Sequence, residues 1–295
     1  MNSFDRYVAV DWSAAATPVS GANSIWIAVA DRGEEVTCSN PTTRRRAFEQ
    51  LQSLSNGSER TLIVVDASFG YPRGATAAFG LTGATPWRAW WETISAALTD
   101  DVSNRNNRFE VAADLNRRVG GPGPFWGCPA AAASGALTPT KPERFVVPEF
   151  RLVEERLRAG GRRPASVWQL LGAGSVGGQT LTLAPILLEL LRAGAEVWPF
   201  TTGLQAPAVS PGTVVLAETW PTAFDLPFPI GVVRDAAQVE GVVRRLRSAD
   251  EDGVLRSWFA PEIEPDWRAV IEAEEGWVLA PDAGSQTPSV RTLGV

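Results

Sequence analysis

The chain alternates between short apolar runs of strand length and longer stretches whose apolar residues recur at helical spacing. Arg6–Asp11 (RYVAVD) predicts a buried strand. Ser24–Ala30 (SIWIAVA) predicts a second and Glu35–Ser39 a short third, with Asp31-Arg32-Gly33 as a tight hairpin between them. Thr43–Leu54 carries Ala47, Leu51 and Leu54 at helical spacing behind an arginine-rich start. Thr61–Asp66 (TLIVVD) predicts a strongly apolar strand. Three strands, a helix and a strand open an α/β sheet with an antiparallel hairpin on one side.

The middle is less regular. Pro86–Leu98 predicts a helix with proline near its start, and Arg108–Val119 another. Gly120–Pro142, rich in Gly, Pro, Ala and Ser, predicts a long loop. A helix at Pro148–Arg158, a strand at Val167–Leu171 and a helix at Thr180–Arg192 follow. Glu196–Phe200 and Thr213–Glu218 predict two more strands, and Asp235–Arg247 and Asp266–Glu275 two closing helices. Residues 283–295 have the composition of a polar tail. The reading is one α/β domain over residues 1–282, with a helical and loop insertion around 75–165.

Composition removes whole classes of chemistry. The 295 residues include no histidine, so Ser-His-Asp and Cys-His nucleophilic machinery is out, as are His-ligated metal sites. Lys141 is the only lysine, and no Gly-Lys-Ser/Thr run of a Walker-type phosphate loop exists. Cys38 and Cys128 cannot build a disulfide framework. No apolar run approaches the ~18–20 residues of a membrane span, and no secretory leader pattern opens the chain, so a cytoplasmic protein without membrane partners is expected. With a net charge of −6, any nucleic-acid contact must come from a local patch. The arginine runs at Arg44–Arg46, Arg117–Arg118, Arg162–Arg163 and Arg244–Arg245 read as solvated helix ends.

What remains is carboxylate chemistry, and one pattern carries it. YVAVD-WS stops at Asp11, TLIVVD-AS at Asp66 and TVVLAE-TW at Glu218. In an open α/β sheet, ligands bind at the carboxyl ends of parallel strands. Adjacent strands lie ~4.8 Å apart, so three such acids on neighbouring parallel strands would converge. Two unit charges ~5 Å apart repel by ~3 kcal/mol at an effective dielectric near 20. A divalent cation, an arginine such as Arg73, or partial protonation must offset this. Oxygen-only ligands suit Mg²⁺ or Mn²⁺. Ser13 and Ser68, each two residues past an acid, are candidate substrate contacts. In the glycine- and proline-rich run VVDASFGYPRG, Arg73 is a candidate phosphate holder. The competing reading is that each strand-end acid only caps the following turn.

Two further features compete for function. Gly172-Ala-Gly174-Ser-Val-Gly177 matches G-x-G-x-x-G, but the acid that a dinucleotide site needs about 20 residues on is misplaced, because Glu196 begins its strand. A glycine turn opening a helix N-terminus, able to hold a phosphate or carboxylate, fits better, with Gln169 and Gln179 flanking it as possible ligand contacts. Trp87, Trp90 and Trp91 sit at helical spacing, as core packing or a lid, with base stacking as the sharper alternative. Asp235 and Glu274 fall at predicted helix ends, where a capping or dipole role is commoner than a place in a site.

Asp11 in the first strand, VVDASFGYPRG around Asp66 and ETWP from Glu218 together resemble a group of predicted RNase H-like nucleases, domain of unknown function 429. SVWQLLGAGSVGGQ, the VWPF after it, and EEGW at Glu274–Trp277 resemble a subgroup signature. The likeness is spread over residues 6–280 in short pieces. It implies a ribonuclease H-like fold, a central mixed sheet with helices on both faces, in which Asp11, Asp66 and Glu218 occupy metal-binding positions. Members often carry a histidine in a Glu-x-His-Pro stretch, where this chain has Trp220. The leading expectation is a metal-dependent phosphodiester hydrolase. Asp11 and Asp66 would share two Mg²⁺ ions, Glu218 would complete the cage and Arg73 would hold a phosphate. The alternatives are phosphotransfer or hydrolysis on a small anionic metabolite, and a non-catalytic binding or scaffold protein on the same fold; nucleic acid or a small phosphorylated ligand is the expected partner.

Overall fold

The computed structural model describes residues 3–172 and 175–281. The elements run β1 (Arg6–Asp11), β2 (Trp26–Asp31), β3 (Thr37–Ser39), α1 (Arg44–Ser55), β4 (Thr61–Asp66), α2 (Ala75–Ala78), α3 (Pro86–Ala97), α4 (Arg108–Arg118) and α5 (Leu152–Ala159). Then come α6 (Gly177–Arg192), β5 (Glu196–Val197), β6 (Val214–Glu218), α7 (Arg234–Glu251), α8 (Leu255–Trp258), α9 (Pro265–Val270) and a π-helical turn at Ile271–Glu275. Among the described residues the strands form one six-stranded mixed sheet in the order β3-β2-β1-β4-β6-β5. β1 pairs antiparallel with β2, and β2 with β3. β1, β4, β6 and β5 run parallel.

The three central strands are apolar on both faces because both faces are covered. Val8, Val10, Ile63, Val65 and Leu216 point into a core shared with α1, α3, α4 and α6. Tyr7, Ala9, Leu62, Val64, Val215 and Ala217 point the other way, into a core closed by α7. α7 presents Val239, Val242, Val243 and Leu246 at helical spacing, all buried. Burying each such side chain contributes about 1.5–3 kcal/mol. The residues expected as an insertion supply α2 to α5, and Trp90, Val111 and Leu115 from it lie in the first core.

The first half follows the apolar pattern closely, and the second departs from it in three places. Val167–Leu171 is no strand; one bridge joins Gln169 to Trp126. The chain turns there instead: Gln169 N–H donates to Ser166 O, and Gly177 N–H takes up Gln169 O. Glu196–Phe200 shortens to the two-residue β5, since Pro199 has no N–H and Thr201 N–H turns back to Val197 O. The helix expected over Asp266–Glu275 is α9 followed by the π-helical turn. The expected polar tail at 283–295 lies outside the described residues, as do Ala173 and Gly174 of the glycine motif. Among the described residues no helix is long and apolar enough to cross a membrane.

Candidate active site at the strand ends

β1 and β4 are parallel and in register over their whole length, so Asp11 stands directly opposite Asp66. Period-two alternation puts both on the α7 side of the sheet, in phase with Ala9 and Val64. Among the described residues, neither carboxylate has an ion pair or a hydrogen bond. Burial, then Asp66, then Asp235 push Asp11 up to about 8. Burial, then Glu218, then Asp235 push Asp66 up to about 7. The two acids interact and titrate as a pair.

The third acid on this side is Asp235, in the first turn of α7. Its Oδ2 accepts from Asn23 N–H at 2.7 Å, which ties the loop before β2 to the helix start. In the sequence a helix-end role was the commoner explanation for Asp235. The register of α7 against β1 and β2, which brings it to Asp11 and Asp66, is a tertiary fact with no local signal.

Glu218 does not converge with the other two. β6 is staggered so that Val65, and not Asp66, stands opposite Glu218. A one-residue offset reverses the face of a strand side chain. Glu218 is fully buried and bound by the equally buried Arg151, Nη2 to Oε1 at 2.6 Å and Nη1 to Oε2 at 2.7 Å. Arg151 also grips Glu154 at 2.6 Å and the carbonyl of Glu275 at 3.0 Å. The Oε2 of Glu218 accepts Phe69 N–H at 2.9 Å, in the loop that follows Asp66. Glu218 thus organises that loop and acts on Asp66 through its charge.

No family model, no curated protein and no solved structure matches this chain. The geometry alone therefore carries the reading. Among the described residues no group of three or more acidic or cysteine side chains is arranged to hold a metal ion. The in-register pair sets two partly buried carboxylates side by side, the residues that could hold a metal ion.

The remaining candidates sort by their contacts. Arg73 faces Glu155 at 3.1 Å and Glu275 at 3.4 Å, so two carboxylates neutralise it. Ser13 Oγ donates to Asn23 O and accepts from Ala15 N–H, which shapes the loop after Asp11. Ser68 is buried. Gln179 donates to Trp12 O at 2.6 Å and so fixes the backbone one residue past Asp11, whereas Gln169 donates to the nearby Leu171 O. Glu274 accepts from Gly74 N–H, Thr76 N–H and Thr76 Oγ1, a structural anchor for α2. Trp87, Trp90 and Trp91 are all buried, with Trp90 stacked on Tyr71 at 4.0 Å and Trp87 on Phe200 at 4.9 Å. They pack the core, and base stacking on them has no surface to use. Two buried arginines flank the loop after Asp11: Arg108, which the sequence did not single out, and Arg44, which was expected to be solvated at a helix end but is buried because Asp100 and the carbonyls of Ser13, Ala15 and Asn104 take up its donors.

Proposed function

We propose that the chain is a metal-dependent phosphodiester hydrolase on a ribonuclease H-like sheet. The observation that carries this is the Asp11–Asp66 pair, opposed in parallel register at the carboxyl ends of adjacent strands and, among the described residues, without an ion pair to either acid. A mixed sheet with helices on both faces, as the resemblance implies, supports the fold part of the reading.

The donor set suits a hard divalent cation. Two unpaired aspartates supply oxygen ligands only, the chemistry of Mg²⁺ or Mn²⁺. A double positive charge would also offset the desolvation of the pair and the repulsion between the two acids and from Glu218 and Asp235. Such an ion supplies polarisation of a phosphoryl oxygen and a lowered pKa for a bound water. The chain's own part is to hold and orient. Asp11 and Asp66 would seat the ion. Asp235 adds negative charge from the α7 side, and Gln179 fixes the backbone beside Asp11. Glu218, held by Arg151, fixes the backbone beyond Asp66.

Titration calorimetry with Mn²⁺, on wild type and Asp66→Asn, tests the seat. Wild type is expected to bind, and the variant to lose at least tenfold in affinity. Cleavage of DNA, RNA or a hybrid would then be assayed with Mn²⁺, and a rate that does not fall with salt would assign a small phosphorylated substrate instead. No Mn²⁺ binding and no cleavage, where a control nuclease works, would overturn the reading.

A further inference from the structure

Below the loop that follows Asp11 lies an imbalance of buried charge. Arg44, 2% exposed, clasps Asp100 through Nε at 2.5 Å and Nη2 at 2.7 Å. Its Nη1 donates to the carbonyls of Ser13 at 3.0 Å and Ala15 at 2.8 Å, and Nη2 also to Asn104 O at 2.8 Å. Every donor of Arg44 is used, and both carboxylate oxygens of Asp100 are taken.

Arg108, at the start of α4, is 7% exposed and has no such partner. Its Nη1 donates to the neutral Asn106 at 2.9 Å, and its guanidinium lies 4.3 Å from the centroid of Phe109. Its Nε is buried with no hydrogen-bond partner. Among the described residues no carboxylate forms an ion pair with it. A buried guanidinium without a counter-charge is destabilising. The cost shows in its acidity: burial, then the neighbouring Arg44, lower its pKa to about 10, against a weaker pull from Asp100.

The direction in which Arg108 points supplies the rest. Its Nε faces the first turn of α6: a Cβ placed on Gly178 would lie 3.4 Å from it and 3.2 Å from the Cβ of Ala14. α6 is 16 residues long, so its N-terminus carries a partial positive charge. Gln179, the next residue, holds Trp12 O beside Asp11. The unpaired guanidinium, the helix start and the loop after Asp11 therefore meet at one place, on the α6 side of the sheet.

We infer that this corner is an oxyanion subsite in which a phosphate group supplies the counter-charge that Arg108 lacks, engaging its guanidinium edge at the first turn of α6. Phosphate fits a planar guanidinium fork and a helix N-terminus alike. The assignment of that phosphate to a substrate rests on the hydrolase reading above; the binding itself does not.

The test is thermal unfolding in EDTA, with inorganic phosphate raised against chloride at constant ionic strength. Wild type, Arg108→Met, Arg108→Lys and Asp66→Asn are compared. A ligand that binds only the folded state raises Tm with its concentration. Wild type and Asp66→Asn are expected to gain in Tm with phosphate, Arg108→Met to show no gain, and Arg108→Lys a reduced one. In chloride alone Arg108→Met should match or exceed wild type, because an unpaired buried charge has gone. An equal phosphate response in wild type and Arg108→Met, or none in wild type, overturns the inference. A phosphate response in a protein that binds no Mn²⁺ would sink the hydrolase reading and leave the anion site standing. A short single-stranded oligonucleotide competing with phosphate in wild type, but not in Arg108→Met, would identify a nucleic-acid backbone as the source; nucleoside monophosphate competing alone would identify a small ligand.

Discussion

Asp66→Asn should make the metal-free protein more stable at alkaline pH, and the expected size follows from the environment of the acid. The folded protein holds the Asp66 proton up to about 7, against 3.8 for the free side chain. Between those values the folded state binds more protons than the unfolded one. Stability is therefore greatest below 3.8 and is lost as pH rises through about 7. At about 1.4 kcal/mol per pH unit, the full penalty above pH 8 is at most about 4 kcal/mol. Asp66 and Asp11 keep some access to solvent, which screens the penalty, so about 1–3 kcal/mol is the working expectation. For a chain of this size that is a rise in Tm of roughly 2–5 °C. The assay is calorimetric unfolding of wild type and Asp66→Asn in EDTA from pH 4.5 to pH 8.5. The two curves should lie together at the acid end and separate with rising pH, the variant above. Adding Mn²⁺ at pH 8 should raise the wild type and leave the variant in place, closing the gap. A variant less stable than wild type at every pH would refute the reasoning, because it would show that the carboxylate accepts a structural hydrogen bond and does not stand unpaired.

Two further substitutions probe the frame around the site. Arg151→Met should cost about 3–5 kcal/mol in urea unfolding, since it strands Glu218 and Glu154 as buried anions. Adding Glu218→Gln in that background should recover part of the loss, and no recovery would refute the pairing as its cause. Gly70→Ala should cost about 1–3 kcal/mol, because the new Cβ would lie 2.4 Å from the carbonyl oxygens of Glu274 and Glu275 and must push the two segments apart. An unchanged midpoint would show that this approach is not a close one.

The sequence revealed the strands that are apolar on both faces, because β1, β4 and β6 need no partner to declare themselves. It also revealed that Asp11 and Asp66 end two of them. It could not reveal stagger. Glu218 ends its strand just as they do, yet β6 meets β4 one residue out of phase, and that single step hands the acid to Arg151. The same limit hid Asp235, whose position depends on where α7 lands on the sheet. Val167–Leu171 misled for another reason: Val167, Trp168 and Leu170 are buried, but Trp168 serves an aromatic cluster and not a sheet.

The stretches that carried the family resemblance meet in space, and their meeting gives them a common purpose. Glu218 of ETWP receives Phe69 N–H from VVDASFGYPRG. Glu274 and Glu275 of EEGW receive N–H groups from Gly74, Arg73 and Leu152, and their carbonyls close over Gly70. Arg151 ties Glu218 to the carbonyl of Glu275. These motifs therefore act mainly as a buried polar brace behind Asp66. Such a brace holds a carboxylate beside its neighbour at the end of a strand, where repulsion would otherwise drive the two apart. The acids that look catalytic by position in the sequence thus divide into two kinds. Asp11 and Asp66, with Asp235 behind them, remain free to act on a ligand, while Glu218, Glu274 and Glu275 are consumed in keeping the loop after Asp66 in place.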